Sequence, residues 1–65
     1  MHIILNGEQT AISSPTLLAM VVEKGFNPDT LIAEVNLELI KKEDWDQTPL
    51  AEGDKVELLS FVGGG

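Results

Sequence analysis

Residues 2–25, HIILNGEQTAISSPTLLAMVVEKG, join a predicted β-hairpin directly to a predicted helix, and this combination limits how the rest of the chain can fold. Asn6-Gly7 lies between two segments rich in β-forming residues. Because both central residues of a type I′ turn need a positive φ, this dipeptide is a strong hairpin signal. We therefore expect strands at about residues 2–6 and 8–13.

The segment after the hairpin carries the start and stop signals of a helix. Ser14 or Ser13 can accept the free amide hydrogens of the first turn, and Pro15 suits the first helical position. Gly25 is placed to end the helix in a left-handed conformation. Five apolar residues between these signals would form the face that covers the sheet: Leu17, Leu18, Met20, Val21 and Val22.

The second half of the chain predicts three more strands. Residues 30–36 and the short segment 37–40 are the third and fourth, and residues 55–62 form the last strand after a turn at Gly53. Residues 41–49 are polar and broken by proline, which indicates a single helical turn and a loop. Because the helix must cover one face of the sheet to be stable, these elements predict an α+β, β-grasp arrangement. We expect a mixed five-stranded sheet of order 2-1-5-3-4, with strands one and five parallel.

Composition narrows the possible functions. Sixty-five residues, 43% of them hydrophobic, can bury one modest core but not the walls of a deep catalytic cleft. The absence of cysteine excludes disulfides, thiolate metal sites and a cysteine nucleophile. The formal net charge of -7 disfavours binding to nucleic acid and to anionic membranes. It is compatible with binding to a basic protein surface, and equally with a charge that only keeps a small protein soluble. Without a long apolar run or signal peptide, we expect a soluble, cytoplasmic protein.

Side-chain alternation predicts an exposed apolar patch on the final strand. Val56 and Leu58 would face the helix. Leu59 and Phe61 would point outward, as would Ile4 on the first strand. A small monomer rarely exposes clustered large apolar side chains without a reason, which gives the candidate partner-binding residues Ile4, Leu59, Phe61 and Val62. The competing interpretation is a β-bulge near Leu59 that buries one of them.

The sequence ends in three glycines, Gly63, Gly64 and Gly65, directly after an apolar strand. Residues without a Cβ can thread a narrow channel, and residues 61–65 would reach about 15 Å when fully extended. We therefore expect a single domain at residues 1–62 and a flexible tail at residues 63–65. A glycine run can also be frayed chain or a cloning remnant.

Three segments carry a resemblance to a known family: MHIILNGE at residues 1–8, EVNLELIKKEDWDQTPLAEGDKVELL at residues 34–59, and the glycine tail. The most specific features are Trp45, Thr48 and Leu50 at their mutual spacing, Glu52-Gly53-Asp54, and Gly64-Gly65. Over nearly its whole length the chain thus resembles the ThiS family, the sulfur carriers of thiamine biosynthesis.

The sequence departs from that family's pattern at one turn. Asn36 is followed by Leu37, where the family often carries Asn-Gly, and Lys41-Lys42 replace a Pro-Arg pair. Because leucine resists a positive φ, we expect this turn to differ in type or register.

The resemblance implies sulfur-carrier chemistry at Gly65. A ThiF-type, E1-like adenylyltransferase would adenylate its carboxylate, and a cysteine desulfurase or other persulfide donor would supply the sulfur of a thiocarboxylate. A ThiG-type thiazole synthase would receive that sulfur. ATP and magnesium would belong to the activating enzyme, because the glycines here do not join a strand to a helix as a phosphate-binding loop does. We expect no cofactor and no catalytic residue in this chain.

Other classes remain open. A MoaD-like carrier for molybdopterin synthesis would share the fold, but that family usually has a proline pair where this chain has residues 60–62. A ubiquitin-like modifier would acylate lysines with the same tail, and an interaction module would use the sheet face alone. An enzyme is the least favoured class, because His2 has no partner at a telling spacing. The acidic run at residues 43–46 also lacks the further ligands of a metal site.

Overall fold

A computed structural model describes residues 1–61 of the chain. Its strands are β1 (His2–Leu5), β2 (Glu8–Ala11), β3 (Leu31–Val35), β4 (Glu38–Ile40) and β5 (Lys55–Ser60). One α-helix, α1, spans Leu17–Glu23, and 3₁₀ helices span Pro28–Thr30 and Lys42–Gln47. The five strands form one sheet of order β2-β1-β5-β3-β4, in which β1 and β5 are parallel and the other neighbours antiparallel. The predicted sheet order is confirmed.

Both hairpins turn through two residues with positive φ. Asn6 and Gly7 have φ of 49° and 84°, which agrees with the predicted type I′ turn. Asn36 and Leu37 have φ of 51° and 71° between the paired residues Val35 and Glu38. The expectation that this second turn differs in type or register was therefore wrong. Leu37 accepts a conformation that costs about 1–2 kcal/mol for an L-residue, and its side chain, 89% exposed, meets no steric obstacle.

The helix begins later than its sequence signals suggest. Thr16 is the N-cap, and its Oγ1 accepts the Ala19 N–H at 3.3 Å. Pro15 therefore precedes the cap. The prediction that it occupies the first helical position was wrong. The reason lies far along the chain: the Pro15 carbonyl accepts the Leu50 N–H at 3.0 Å, and Thr16 forms a β-bridge with Pro49. These contacts hold the segment extended up to Thr16.

Neither serine caps the helix, which corrects a second expectation. The backbone N–H groups of Ser13 and Ser14 instead donate to the Glu23 carboxylate, and the Ser14 hydroxyl donates to Glu23 Oε1 at 2.6 Å. The Ser14 hydroxyl, the Ser13 N–H, the charge of Lys24 and the Ser14 N–H together hold the pKa of Glu23 below its ordinary value. Glu23, the last residue of α1, thus holds the loop at Ser13 and Ser14 in place through hydrogen bonds.

Gly25 follows the C-cap Lys24 and has the predicted left-handed conformation, with a φ of 83°. The Gly25 N–H donates to the Val22 carbonyl at 3.0 Å, and the Phe26 N–H donates to the Val21 carbonyl at 3.1 Å. This pair of bonds is a Schellman motif, which needs a left-handed residue at its glycine position. Val22 itself is exposed and does not belong to the covering face, contrary to expectation.

The core lies between α1 and one face of the sheet. The side chain of Trp45, from the second 3₁₀ helix, is buried there, and its Nε1 donates to the Ile40 carbonyl at 3.0 Å. The expected single helical turn in this region is thus a longer 3₁₀ segment. The buried hydrophobic residues are Ile3, Ile12, Leu17, Met20, Val21, Ala33, Val35, Trp45, Leu50, Val56 and Leu58.

Candidate functional site

Strand β5 is fixed from both sides by asparagine side chains in the hairpin turns. On the β1 side, Asn6 Oδ1 accepts the Leu58 N–H at 2.8 Å. On the β3 side, Asn36 Oδ1 accepts the Lys55 N–H at 3.0 Å, and the Asn36 Nδ2 donates to Asp54 Oδ1 at 3.1 Å. Two turns that lie far apart in the sequence therefore position the strand that precedes the tail.

Side-chain alternation continues along β5 without interruption. Val56 and Leu58 are buried, whereas Glu57 and Leu59 are exposed. The one-to-one pairing of β5 with β3 runs from Val56 opposite Val35 to Ser60 opposite Leu31, so no bulge interrupts this pairing. Leu59 therefore lies on the outer face of the sheet, the face away from α1.

An apolar patch occupies the outer face at the end of β5. Leu59 and Phe61 are 64% and 56% exposed, and Ile32, directly opposite Leu59 on β3, is 40% exposed. The Phe61 N–H donates to the Thr30 carbonyl at 3.2 Å, which keeps Phe61 in line with the strand. We call Ile32, Leu59 and Phe61 the outer patch.

The structure separates Ile4 from the outer patch. Ile4 is half-buried and lies beside Lys55 in the parallel pairing of β1 with β5. Lys55 precedes Leu59 by four positions, a distance of about 13 Å along a strand. Ile32 is not among the residues predicted for this patch. Because Ala33 and Val35 point inward, alternation along β3 places Ile32 on the outer face of the sheet. Its position beside Leu59 depends on the register between β3 and β5, which the sequence does not give.

Acidic side chains lie next to the outer patch. Glu34 on β3 is directly opposite Glu57 on β5, and Leu39 on the edge strand β4 is opposite Glu34 and 62% exposed. Within residues 1–61 the close contacts between basic and acidic side chains are His2–Glu52 and Lys42–Asp29, and neither includes these two glutamates. The outer face thus combines exposed apolar side chains with an uncompensated pair of carboxylates.

The described part of the chain offers no metal centre or catalytic pocket. No group of three or more histidine, aspartate or glutamate side chains in it is arranged to hold a metal ion, and it contains no pocket. No helix among these residues is long and apolar enough to cross a membrane. The remaining predicted site residues, Val62, Gly63, Gly64 and Gly65, and the predicted boundary between domain and tail lie outside the described residues.

Comparison with known proteins identifies the family of this chain and solved structures that are similar to it. The sequence model of the ThiS family matches residues 3–65, which includes the glycine tail. The chain belongs to the ThiS family. A crystal structure of the thiamine biosynthesis protein ThiS from Geobacter metallireducens is similar to it over the full length of both chains, with a TM-score of 0.82 and 28% identity. A solution structure of a thiamine biosynthesis protein from the same organism gives a TM-score of 0.79 at 26% identity, covering all of this chain and 88% of that one. The β-grasp fold is therefore shared with ThiS proteins.

Two relatives of this ThiS-family chain are much longer proteins. A thiazole synthase of Paramagnetospirillum magneticum is 36% identical over 66 residues, and one of Magnetococcus marinus is 33% identical over 66 residues. Each alignment covers all of this chain but 20% of the relative. The chain thus spans about a fifth of the length of these curated relatives.

Proposed function

We propose that this chain is a sulfur carrier of thiamine biosynthesis. Gly65 carries the sulfur as a terminal thiocarboxylate, which is used to form the thiazole ring. The observation that carries the proposal is the ThiS family match, because it extends through the glycine tail to residue 65. Its support from the fold is the similarity to a ThiS structure over the full length of both chains.

The proposed chemistry begins with a carboxylate that does not react with nucleophiles. Transfer of an adenylyl group from ATP to the Gly65 carboxylate gives an acyl-adenylate and releases pyrophosphate. A sulfur nucleophile then attacks the carbonyl carbon, the bond to the phosphate oxygen breaks, and AMP leaves. When that nucleophile is the terminal sulfur of a persulfide, the product is an acyl disulfide. A thiol reductant supplies two electrons to cleave its S–S bond and is itself oxidised to a disulfide; the donor leaves as a thiol, and the chain carries a thiocarboxylate in place of its carboxylate. The chain is consumed and recharged as a reagent, which is why we do not class it as an enzyme.

The partners follow from this chemistry. A ThiF-type adenylyltransferase binds ATP and magnesium, and a cysteine desulfurase or other persulfide donor supplies sulfur. A ThiG-type thiazole synthase accepts it. Support for the last partner comes from the two thiazole synthases in which a segment similar to this entire chain makes up a fifth of the protein. The use of ATP favours the cytoplasm as the site of reaction.

We assign the docking of these partners to the outer face of the sheet. The outer patch is exposed and lies at the end of β5, directly before the tail. A partner that covers Leu59 and Phe61 can therefore receive Gly65 within about 15 Å of the folded body. Ile4 and Val62 remain predicted contacts with these partners. Ile4 lies on the same face of the sheet but far from the outer patch.

Intact-mass analysis tests the proposal. The chain is incubated with the adenylyltransferase, ATP and a sulfur donor, and the expected result is the mass gain of one oxygen-to-sulfur exchange. Lysine conjugates in a cell extract would instead identify a ubiquitin-like modifier, and no change in either assay would favour an interaction module. Transfer of the sulfur to the large subunit of molybdopterin synthase, and not to thiazole synthase, would identify a MoaD-like carrier.

Variants at Gly65 serve as controls in the same assay. Deleting Gly65 or adding one residue after it displaces the reactive carboxyl by about 3.3 Å. Since a misplacement near 1 Å can already cost about a hundredfold in rate, neither variant should be charged with sulfur. Normal charging of the extended variant would contradict the proposed role of Gly65.

A further inference from the structure

Two glutamates occupy directly opposite positions on the outer face of the sheet. Glu34 on β3 and Glu57 on β5 are directly opposite in the antiparallel register, so their Cβ atoms lie about 5 Å apart. Like charges in this arrangement destabilise a sheet. No salt bridge in the described part of the chain compensates either carboxylate. The folded protein therefore keeps an unfavourable pair on its most central strands.

Exposed apolar side chains lie on two sides of this pair. Leu59 follows Glu57 on the same face of β5, with Ile32 opposite it, and Leu39 lies beside Glu34 on β4. A protein that covers these side chains also removes water from the two glutamates. Burying an unpaired carboxylate is costly, whereas an opposite charge becomes more strongly attracted as the surroundings become less polar. A partner that covers this face therefore gains affinity if it brings a cation to the two glutamates.

No basic side chain of the described residues compensates the charges of Glu34 and Glu57. Lys55 precedes Glu57 by two positions on the same face of β5 but forms no ion pair with either glutamate. Its backbone position pairs with Ile4 on β1, four residues before Leu59. A guanidinium suits the position between Glu34 and Glu57 better than an ammonium does, because its planar set of five donors can bond two carboxylates at once.

We propose that the outer face binds a surface of thiazole synthase on which one arginine is flanked by apolar side chains. The guanidinium lies between Glu34 and Glu57, and the apolar side chains cover Ile32, Leu39 and Leu59. This inference rests on the proposed function, which names thiazole synthase as a partner. Charge complementarity supports the arginine, and the thiazole synthases that include a ThiS-like segment support the choice of partner.

Binding to the cognate thiazole synthase of ThiG type tests the inference. The double variant Glu34→Gln with Glu57→Gln keeps the side-chain shapes but removes both charges. We expect it to bind thiazole synthase at least about tenfold more weakly, since the hydrogen bonds from a cation to the two charged carboxylates are lost. In isolation the same variant should melt at the wild-type temperature or above it, because the repulsion between the carboxylates is gone.

A matched control separates this effect from net charge. Glu8 and Glu38 are exposed on the sheet but lie opposite Leu5 and Val35, away from the outer patch. Glu8→Gln with Glu38→Gln changes the net charge by the same amount, and it should change the affinity by less than about twofold, as rim charges contribute little. Equal binding by the two double variants would overturn the inference.

The proposed function has a separate readout. Binding is measured with the uncharged chain, whereas sulfur loading is followed by intact mass with the activating enzyme. Normal loading together with no binding of the wild-type chain to thiazole synthase would overturn the inference and leave the chemistry at Gly65 standing. Failure of wild-type loading, with binding that depends on Glu34 and Glu57, would contradict the sulfur-carrier function and support this docking surface.

Discussion

The side-chain oxygen of Asn6 accepts the backbone N–H of Leu58 at 2.8 Å, across 52 positions of sequence. Strand β1 ends at Leu5, and its regular pairing with β5 ends at Val56. The Asn6 side chain thus supplies the acceptor that a longer β1 would have provided. One residue serves both as the first residue of a left-handed turn and as a link to the central strand.

Replacing Asn6 should therefore weaken the fold through its side chain. Asn6→Gly keeps the positive φ at no steric cost but leaves the half-buried Leu58 N–H without its acceptor, so we expect a loss of about 1–2 kcal/mol. Asn6→Asp keeps an acceptor and tolerates the left-handed conformation, and it should be closer to wild type. Denaturant unfolding measures both. Equal stability of wild type and Asn6→Gly would show that the hydrogen bond contributes nothing.

Replacing Leu37 should have the opposite effect. Its φ of 71° is unfavourable for leucine, and its side chain is almost fully exposed, so little packing is lost on truncation. Leu37→Gly should raise the unfolding free energy by about 1 kcal/mol, which corresponds to a melting temperature about 4 °C or more higher in a domain of this size. Leu37→Ala keeps the strain and should gain nothing. A lower melting temperature for Leu37→Gly would mean that Leu37 makes contacts that stabilise the fold.

Stability should depend on pH through Glu23. Hydrogen bonds from Ser14 and Ser13 hold its pKa below the ordinary value, so folding favours the ionised carboxylate. This stabilisation is complete above the pKa of the unfolded chain and is lost as the pH falls through the lower pKa of the folded chain. Comparing wild type with Glu23→Gln by denaturant unfolding should give the largest difference near neutral pH and a shrinking one in acid. Glu8→Gln, at an exposed glutamate without these bonds, should not reproduce that trend.

The outer patch should be dispensable for folding. The double variant Leu59→Ser with Phe61→Ser should melt within a few degrees of wild type, because both side chains are largely exposed, yet it should not bind the activating enzyme or thiazole synthase. Leu58→Ser, a buried neighbour on the same strand, should instead cost several kcal/mol. A stable double variant that binds both partners normally would remove the patch from the docking surface.

Local signals predicted the features that depend on neighbouring residues. Asn6-Gly7 marked the first turn, and Gly25 marked the end of α1, because both positions need a left-handed backbone that glycine or asparagine adopts at low cost. The alternation in β5 correctly separated buried Leu58 from exposed Leu59. The sheet order followed from these elements because few topologies let one helix cover a sheet built from two hairpins and a return strand.

Contacts between distant segments account for the errors. The start of α1 at Thr16 depends on bonds to the loop at Pro49 and Leu50, which no window around the helix contains. The outer patch contains Ile32 in place of Ile4 because the strand registers, and not the alternation within each strand, decide which side chains become neighbours. Leu37 was misjudged because the bonds of Asn36 to β5 and the pairing of Val35 outweigh the preference of one residue.

The position of β5 also bears on the rate of folding. The central strand consists of residues 55–60, whereas its parallel neighbour consists of residues 2–5, so the sheet closes only when segments about 50 residues apart meet. Loop closure over that length costs about 3–4 kcal/mol of entropy before any contact is gained, which predicts slower folding than in a helical domain of equal size. Removing residues 55–61 would leave two separate hairpins, and isolated hairpins are marginally stable in water. We therefore expect both halves of the sheet to depend on β5 for their stability and to unfold in a single cooperative event.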